Sequence, residues 1–84
     1  RADCAFADLT RAVLAGADLT RVNFTHAKMV RTSLVRACLR EANLSHANLH
    51  LALAMEADFT DAVLYQALMS DTLVQAATGL PTPS

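Results

Sequence analysis

Read in steps of five from Ala2 to Ala77, the chain sets a small residue at almost every stop. Thirteen of these sixteen positions are Ala, and the others are Val22, Thr32 and Thr72. Two residues further on runs a second column that is large and apolar, from Cys4, Leu9, Leu14 and Leu19 through Phe24, Met29 and Leu34 to Leu64, Met69 and Val74. Ala54 and Gly79 are its small members. Between the two columns stands Asp or Asn at Asp3, Asp8, Asp18, Asn23, Asn43, Asn48 and Asp58. The register does not slip over the whole span.

A period of five fits neither regular element. On an α-helix each step of five turns the side chain by roughly 140° from a whole number of turns, so the Leu column would spiral and form no face. On a continuous strand an odd step alternates sides, and every second Leu would point to water. Both columns share one interior only if the chain turns a corner in each unit. The scarcity of Gly and Pro before residue 79 favours an Ala/Leu-rich helical bundle instead, but a bundle gives no reason for an unbroken five-residue register.

The units Ala7-Asp8-Leu9-Thr10-Arg11, Ala17-Asp18-Leu19-Thr20-Arg21 and Ala42-Asn43-Leu44-Ser45-His46 resemble the signature of the pentapeptide-repeat family. The resemblance implies an all-β fold, a right-handed quadrilateral β-helix in which four units make a coil of about twenty residues. Just under four coils fit residues 1–78, with 79–84 as a C-terminal tail or linker. Strand spacing of ~4.8 Å makes such a column ~15–20 Å tall.

A coil of twenty stacks residues twenty apart. The interior ladders become Cys4/Phe24/Leu44/Leu64, Leu9/Met29/Leu49/Met69, Leu14/Leu34/Ala54/Val74 and Leu19/Leu39/Phe59/Gly79. Ala54 breaks the large-residue rule, and Phe59 in the next unit is expected to fill the space it leaves. Outside, the same rule pairs Arg21 with Glu41, Arg36 with Glu56 and Asp8 with Lys28, and it sets Asn23 on Asn43. Opposite charges on neighbouring strands favour that register by roughly 0.2–1 kcal/mol each.

Composition narrows the function. Of the 84 residues 54% are hydrophobic but only 5% aromatic, so the interior is built of Ala and Leu. No run approaches the ~18 apolar residues of a membrane-spanning helix, and the chain begins with no charged-then-apolar leader. It opens in mid-pattern at Arg1-Ala2-Asp3, as a segment of a larger protein would. All seven basic residues lie in positions 1–40 with three acids, while the remainder carries five acids and no Lys or Arg. The two ends of the column are therefore expected to differ in charge. A basic first half with hardly any aromatics is a weak nucleic-acid surface.

Candidate chemistry is sparse. His26 and His46 lie twenty apart with His50 one corner away, yet no Asp, Glu or Cys completes a metal site beside them. Cys4 points inward and Cys38 outward on another side, so the thiols are expected to stay free and to suit a reducing, cytoplasmic compartment. The serines are scattered, with no glycine-rich elbow and no positioned base. Neither an enzymatic activity nor a cofactor is expected.

The outward positions turn apolar in one region. Val13, Leu53 and Leu73 share a column, Val35 and Met55 share its neighbour, and Leu51 and Leu68 lie close by. A contiguous patch of this kind marks an interface or the seat of a covering segment. The functional expectation is a protein-interaction or scaffolding module, monomeric or joined through this patch as a symmetric dimer, with the prolines of the tail blocking end-to-end growth. The family resemblance adds one alternative, a rod that mimics DNA and binds a type II topoisomerase. That role needs acidic columns running the length of a longer rod, and here the columns change sign midway.

Overall fold

The computed structural model describes residues 2–81. Twelve parallel bridges join residues twenty apart and fall into four runs of three, one for each side of the column. Asp3, Asn23, Asn43 and Val63 make the asparagine side; Asp8, Lys28, Asn48 and Leu68 the lysine side. Val13, Ser33, Leu53 and Leu73 make the leucine side, and Asp18, Cys38, Asp58 and Thr78 the cysteine side. In coil order the leucine side lies opposite the asparagine side. Four rungs stack along the axis, and each residue of a bridge column faces outward from the rung it closes.

The backbone ladder explains the register. Each inward Leu-type residue donates its N–H to a carbonyl nineteen residues on, as Leu9 does to Lys28 (2.7 Å) and Leu34 to Leu53 (2.6 Å). The outward residue before it donates back to a carbonyl of the small-residue column in the preceding coil, as Asn43 does to Val22 and Ser33 to Ala12. Every rung between the ends is thus bonded on both sides, and a one-residue slip would break whole columns of bonds.

All but one of the corners from Phe6 to Ala76 are turned without glycine. The Ala N–H of each unit donates to the Leu-type carbonyl three residues earlier, for example Ala47 to Leu44 at 3.0 Å. The residue just before that Ala has positive φ: fourteen non-glycine residues from Phe6 to Ala76 lie between 57° and 63°, and Gly16 completes the series. A single positive φ at the third position, closed by this bond, defines a type II turn. Left-handed backbone costs roughly 1–2 kcal/mol for an ordinary residue and more for a β-branched one. The corner column reads Phe, Arg, Gly, Arg, His, Arg, Arg, Glu, His, Leu, Glu, Asp, Gln, Asp, Ala, without one Val or Thr. Both residue types are common one position earlier, at Thr10, Thr20, Thr25, Val30, Val35 and Thr60.

Asp and Asn recur between the columns because they hold these corners. All seven accept the backbone N–H two residues on, from Asp3 with Ala5 (3.1 Å) to Asp58 with Thr60 (2.9 Å). Where the next-but-one residue is Thr or Ser its hydroxyl donates to the same oxygen, at 2.6 Å for Thr25 on Asn23. This is the Asx turn, and it satisfies a corner N–H that the ladder leaves free.

The core fills the middle two coils. Phe24, Met29, Leu34, Leu39, Leu44, Leu49 and Phe59 are fully buried, with Ala27 through Ala57 filling in between. Ala54 is buried, as is Phe59 in the next unit, and Leu53 stays in its outward bridge column, so the weak position causes no distortion. Two of the three exceptions in the Ala column have a specific use. Thr32 and Thr72 donate their hydroxyls to the carbonyls of Leu9 (2.7 Å) and Leu49 (2.6 Å) in the coil below. A buried hydroxyl would otherwise cost ~1–3 kcal/mol. Among the described residues no buried side-chain N or O lacks a partner.

At the far end the regular ladder finishes with the Asp58–Thr78 bridge. Gly79, expected as the last interior rung, instead has φ +78° and crosses so close that a Cβ would collide with the backbone of Phe59 and Thr60. Leu80 then packs against the core in its place. The expected linker therefore starts as a cover for the last coil, while Pro83, assigned a blocking role above, lies outside the described residues.

Candidate protein-docking surface

The four sides use their outward positions differently. On the asparagine side the oxygens are already engaged: Asn23 holds Thr25 and Asn43 holds Ser45, while Asn23 also donates its amide to Asp3 at 3.3 Å. Asp3, Asn23 and Asn43 line a shallow depression of ≈370 Å³ with Arg21, Glu41 and Val63, but its polar groups serve the corners. Asp8 on the lysine side and Asp18 and Asp58 on the cysteine side do the same. The hydroxyl and then the N–H of Thr10, Thr20 and Thr60 hold these three carboxyls below the usual aspartate range, with Lys28 adding to the effect at Asp8 and Arg40 at Asp58.

Two of the expected ion pairs form, Arg21–Glu41 at 3.1 Å and Arg36–Glu56 at 2.8 Å. Arg40 also reaches diagonally to Asp58 at 3.5 Å, a contact the twenty-residue rule does not supply. Asp8 and Lys28 are backbone neighbours, but their charged groups are not among the ion pairs of the described residues.

The histidines form a stack. Phe6, His26 and His46 occupy successive rungs of the corner between the asparagine and lysine sides. Their ring centroids are 4.7 Å apart at each step, with planes 1° and 5° from parallel. Tyr65 closes the column edge-on at 5.6 Å and 87°. Stacked imidazoles point their lone pairs along parallel planes, so one cation cannot lie in both. His50 sits at the next corner, its Nδ1 3.0 Å from both oxygens of Ser70. Among the described residues no three metal-binding side chains converge. The stack stabilises the corner by about 0.5–1.5 kcal/mol for each ring pair. Phe6 and Tyr65 were not anticipated as its ends, although the twenty-residue rule places Phe6 directly below His26. Cys38 is half-buried rather than open, with Sγ 3.3 Å from the Thr20 hydroxyl. Cys4 packs at the first coil, and both thiols are free.

The leucine side is different because none of its four outward residues is Asp or Asn. Val13 is 79% exposed and Leu73 43%, while Ser33 and Leu53 between them are half-buried. Val35 and Met55 flank this column at the corner toward the cysteine side, joined through the Arg36 N–H to the Met55 carbonyl at 3.0 Å. Leu51 flanks it at the other corner, immediately before Ala52 and Leu53. Six of the seven expected interface residues therefore meet on one side and its two edges. Leu68 does not: it bridges Asn48 on the lysine side, around the corner.

The fold is shared with solved proteins. A pentapeptide repeat protein (Rfr23) from the cyanobacterium Cyanothece 51142 superposes with a TM-score of 0.88 at 25% identity, over 89% of this chain and 52% of its own. The chain thus spans about half the length of that relative. A pentapeptide repeat protein from Nostoc PCC 7120 matches with a TM-score of 0.59 at 29% identity, over 96% of this chain and 74% of its own. One from the Arabidopsis thaliana thylakoid lumen gives 0.58 at 24% identity, over 98% and 66%, a likeness of fold alone. No curated protein matches the sequence. The family model for pentapeptide repeats finds eight copies, over residues 1–34 and 32–71. A four-sided column with a twenty-residue rung, built from units that this model recognises along most of their length, places the chain in the pentapeptide-repeat family, whose fold is the right-handed quadrilateral β-helix.

Proposed function

We propose that this chain is a docking module without catalytic activity, which engages a protein through its leucine side. Pentapeptide-repeat proteins are in general non-enzymatic structural or interaction modules. The observation that carries the finer reading is the division of labour among the sides. On the other three sides Asp and Asn at the outward positions hold Asx turns, whereas Val13, Leu53 and Leu73 hold none; the exposed Val63 and Leu68 are each the one apolar member of their columns. Apolar side chains left in water along this column, broken only at Ser33, cost free energy that contact with a partner recovers. The two free thiols suit a reducing compartment such as the cytoplasm.

Mimicry of DNA is less well supported. A mimic needs uninterrupted acidic columns, but here Glu41 and Glu56 are each neutralised by an Arg one rung below. A photo-crosslinking residue at Leu73, in cells that make the protein, should trap a protein. The same residue at Val63, also exposed and on the opposite side, should not. Equal yields from both positions, or none from Leu73, would overturn the assignment of the surface.

A further inference from the structure

On the corner between the lysine and leucine sides the left-handed positions read Arg11, Arg31, Leu51 and Asp71 from first rung to fourth. Among the described residues neither Arg11 nor Asp71 makes an ion pair, although Arg21, Arg36 and Arg40 all do. Three rungs separate the two, ~14 Å at strand spacing, which is too far for them to meet within one column. Arg11 and Arg31, by contrast, are like charges on adjacent rungs, an arrangement that is unfavourable in isolation.

We infer that a second copy of this chain docks on the leucine side, reversed end for end, so that Arg11 of each copy pairs with Asp71 of the other. The inference rests on the leucine side being the docking surface and names its occupant. The reversal follows from the residues. It sets first rung against fourth and second against third, so Val13 covers Leu73 of the second copy and Leu53 covers Ser33. At the other edge Gly16 meets Ala76, two small residues, and Arg36 meets Glu56, so the pair within each chain joins its twin in a ring of four alternating charges. Running the copies in the same direction fails on charge: it sets Arg31 against Arg36 of the second copy and leaves Arg11 and Asp71 opposite Gly16 and Ala76, whereas the reversed contact brings no like charges together and only sets Arg31 on Leu51. The reversed contact is two-fold symmetric and closes on itself, so it makes a dimer and not a fibre. Its size is adequate. One side of this squat prism is about a sixth of the 4921 Å² surface, near the ~800 Å² that each partner contributes to a standard interface.

Sedimentation equilibrium of the full chain, repeated with charge-reversal variants, tests this. The wild type should dimerise. Arg11→Asp and Asp71→Arg should each weaken the dimer at least tenfold, and the double variant should recover to within about threefold of wild type. Folding is not at stake in these changes, because Asp and Arg both occupy left-handed corners elsewhere, at Asp61 and Arg31. A chain that stays monomeric at millimolar concentration overturns the inference, and so does a dimer indifferent to either reversal or not rescued by the double variant. If Leu73 crosslinks a different protein while the chain remains monomeric, the second copy is wrong and the docking surface stands. Absence of any crosslink at Leu73 removes both.

Discussion

The asparagine and leucine sides share one backbone, one rung spacing and one core, yet their outward residues behave in opposite ways. Asn23 and Asn43 fold back on Thr25 and Ser45 and hold the next corner. Ser33, Leu53 and Leu73 hold nothing comparable, and the corresponding corner N–H groups at Val35, Met55 and Gln75 have no side-chain cap among the described residues. In a fold made of one repeated unit, the informative residues are those that decline the unit's own chemistry. The leucine side gives up its caps and shows apolar surface instead.

The comparison predicts that truncations behind the two sides cost alike. Phe24→Ala, behind the asparagine side, should destabilise by about 3–5 kcal/mol, and Leu34→Ala, behind the leucine side, by about 2–5 kcal/mol. Denaturant unfolding measures both, and a loss under ~1 kcal/mol from either would mean that its side is not seated on the common core. Outward substitutions should separate the sides. Asn43→Leu, which gives the asparagine side the chemistry of its opposite, removes a cap from Ser45 and should cost about 0.5–1.5 kcal/mol.

Acid should act on the capped sides alone. The folded Asp8, Asp18 and Asp58 carboxyls are held below their ordinary value, so their contribution is complete above the unfolded pKa of ~3.9 and is lost as pH falls through the lowered folded values. Thermal midpoints should therefore be flat through mild acid and drop below about pH 4. The combined Asp8→Asn, Asp18→Asn and Asp58→Asn variant keeps an acceptor at each corner and should show a shallower drop. An unchanged drop would place the acid sensitivity elsewhere.

Most of the fold was legible because the five-residue register admits a single interior. The ladders, the place of Ala54 beside Phe59 and two of three ion pairs followed from stacking at twenty. Three features did not. That each unit turns a corner was legible, but the residue that turns it was not: the scarcity of glycine favoured a helical bundle, when the available signal was the exclusion of Val and Thr from the column Phe6 to Ala76. The Asx turns were missed because Asp and Asn were placed between the columns without a role, although Thr or Ser follows two residues on at Thr10, Thr20, Thr25, Ser45 and Thr60. At Gly79 the count by fives carried past its range, and Leu80 took the interior place. The apolar surface was legible except for Leu68, which is near in sequence terms but turned away by a corner. Arg11 and Asp71 were read only as parts of a charge imbalance, since their relation appears when a second column is laid in reverse.

Leu53→Asn tests the division between fold and function most directly. Asn at this position recreates the arrangement of Asn43 and should cap the Met55 N–H, so it repairs the repeat while removing the central apolar contact. Unfolding measured at concentrations where both chains are monomeric should show stability within about 0.5 kcal/mol of wild type or slightly above it, while sedimentation at higher concentration shows loss of dimer. A fall in stability well beyond that range, with association intact, would show that Leu53 belongs to the fold and that the leucine side is not a docking surface.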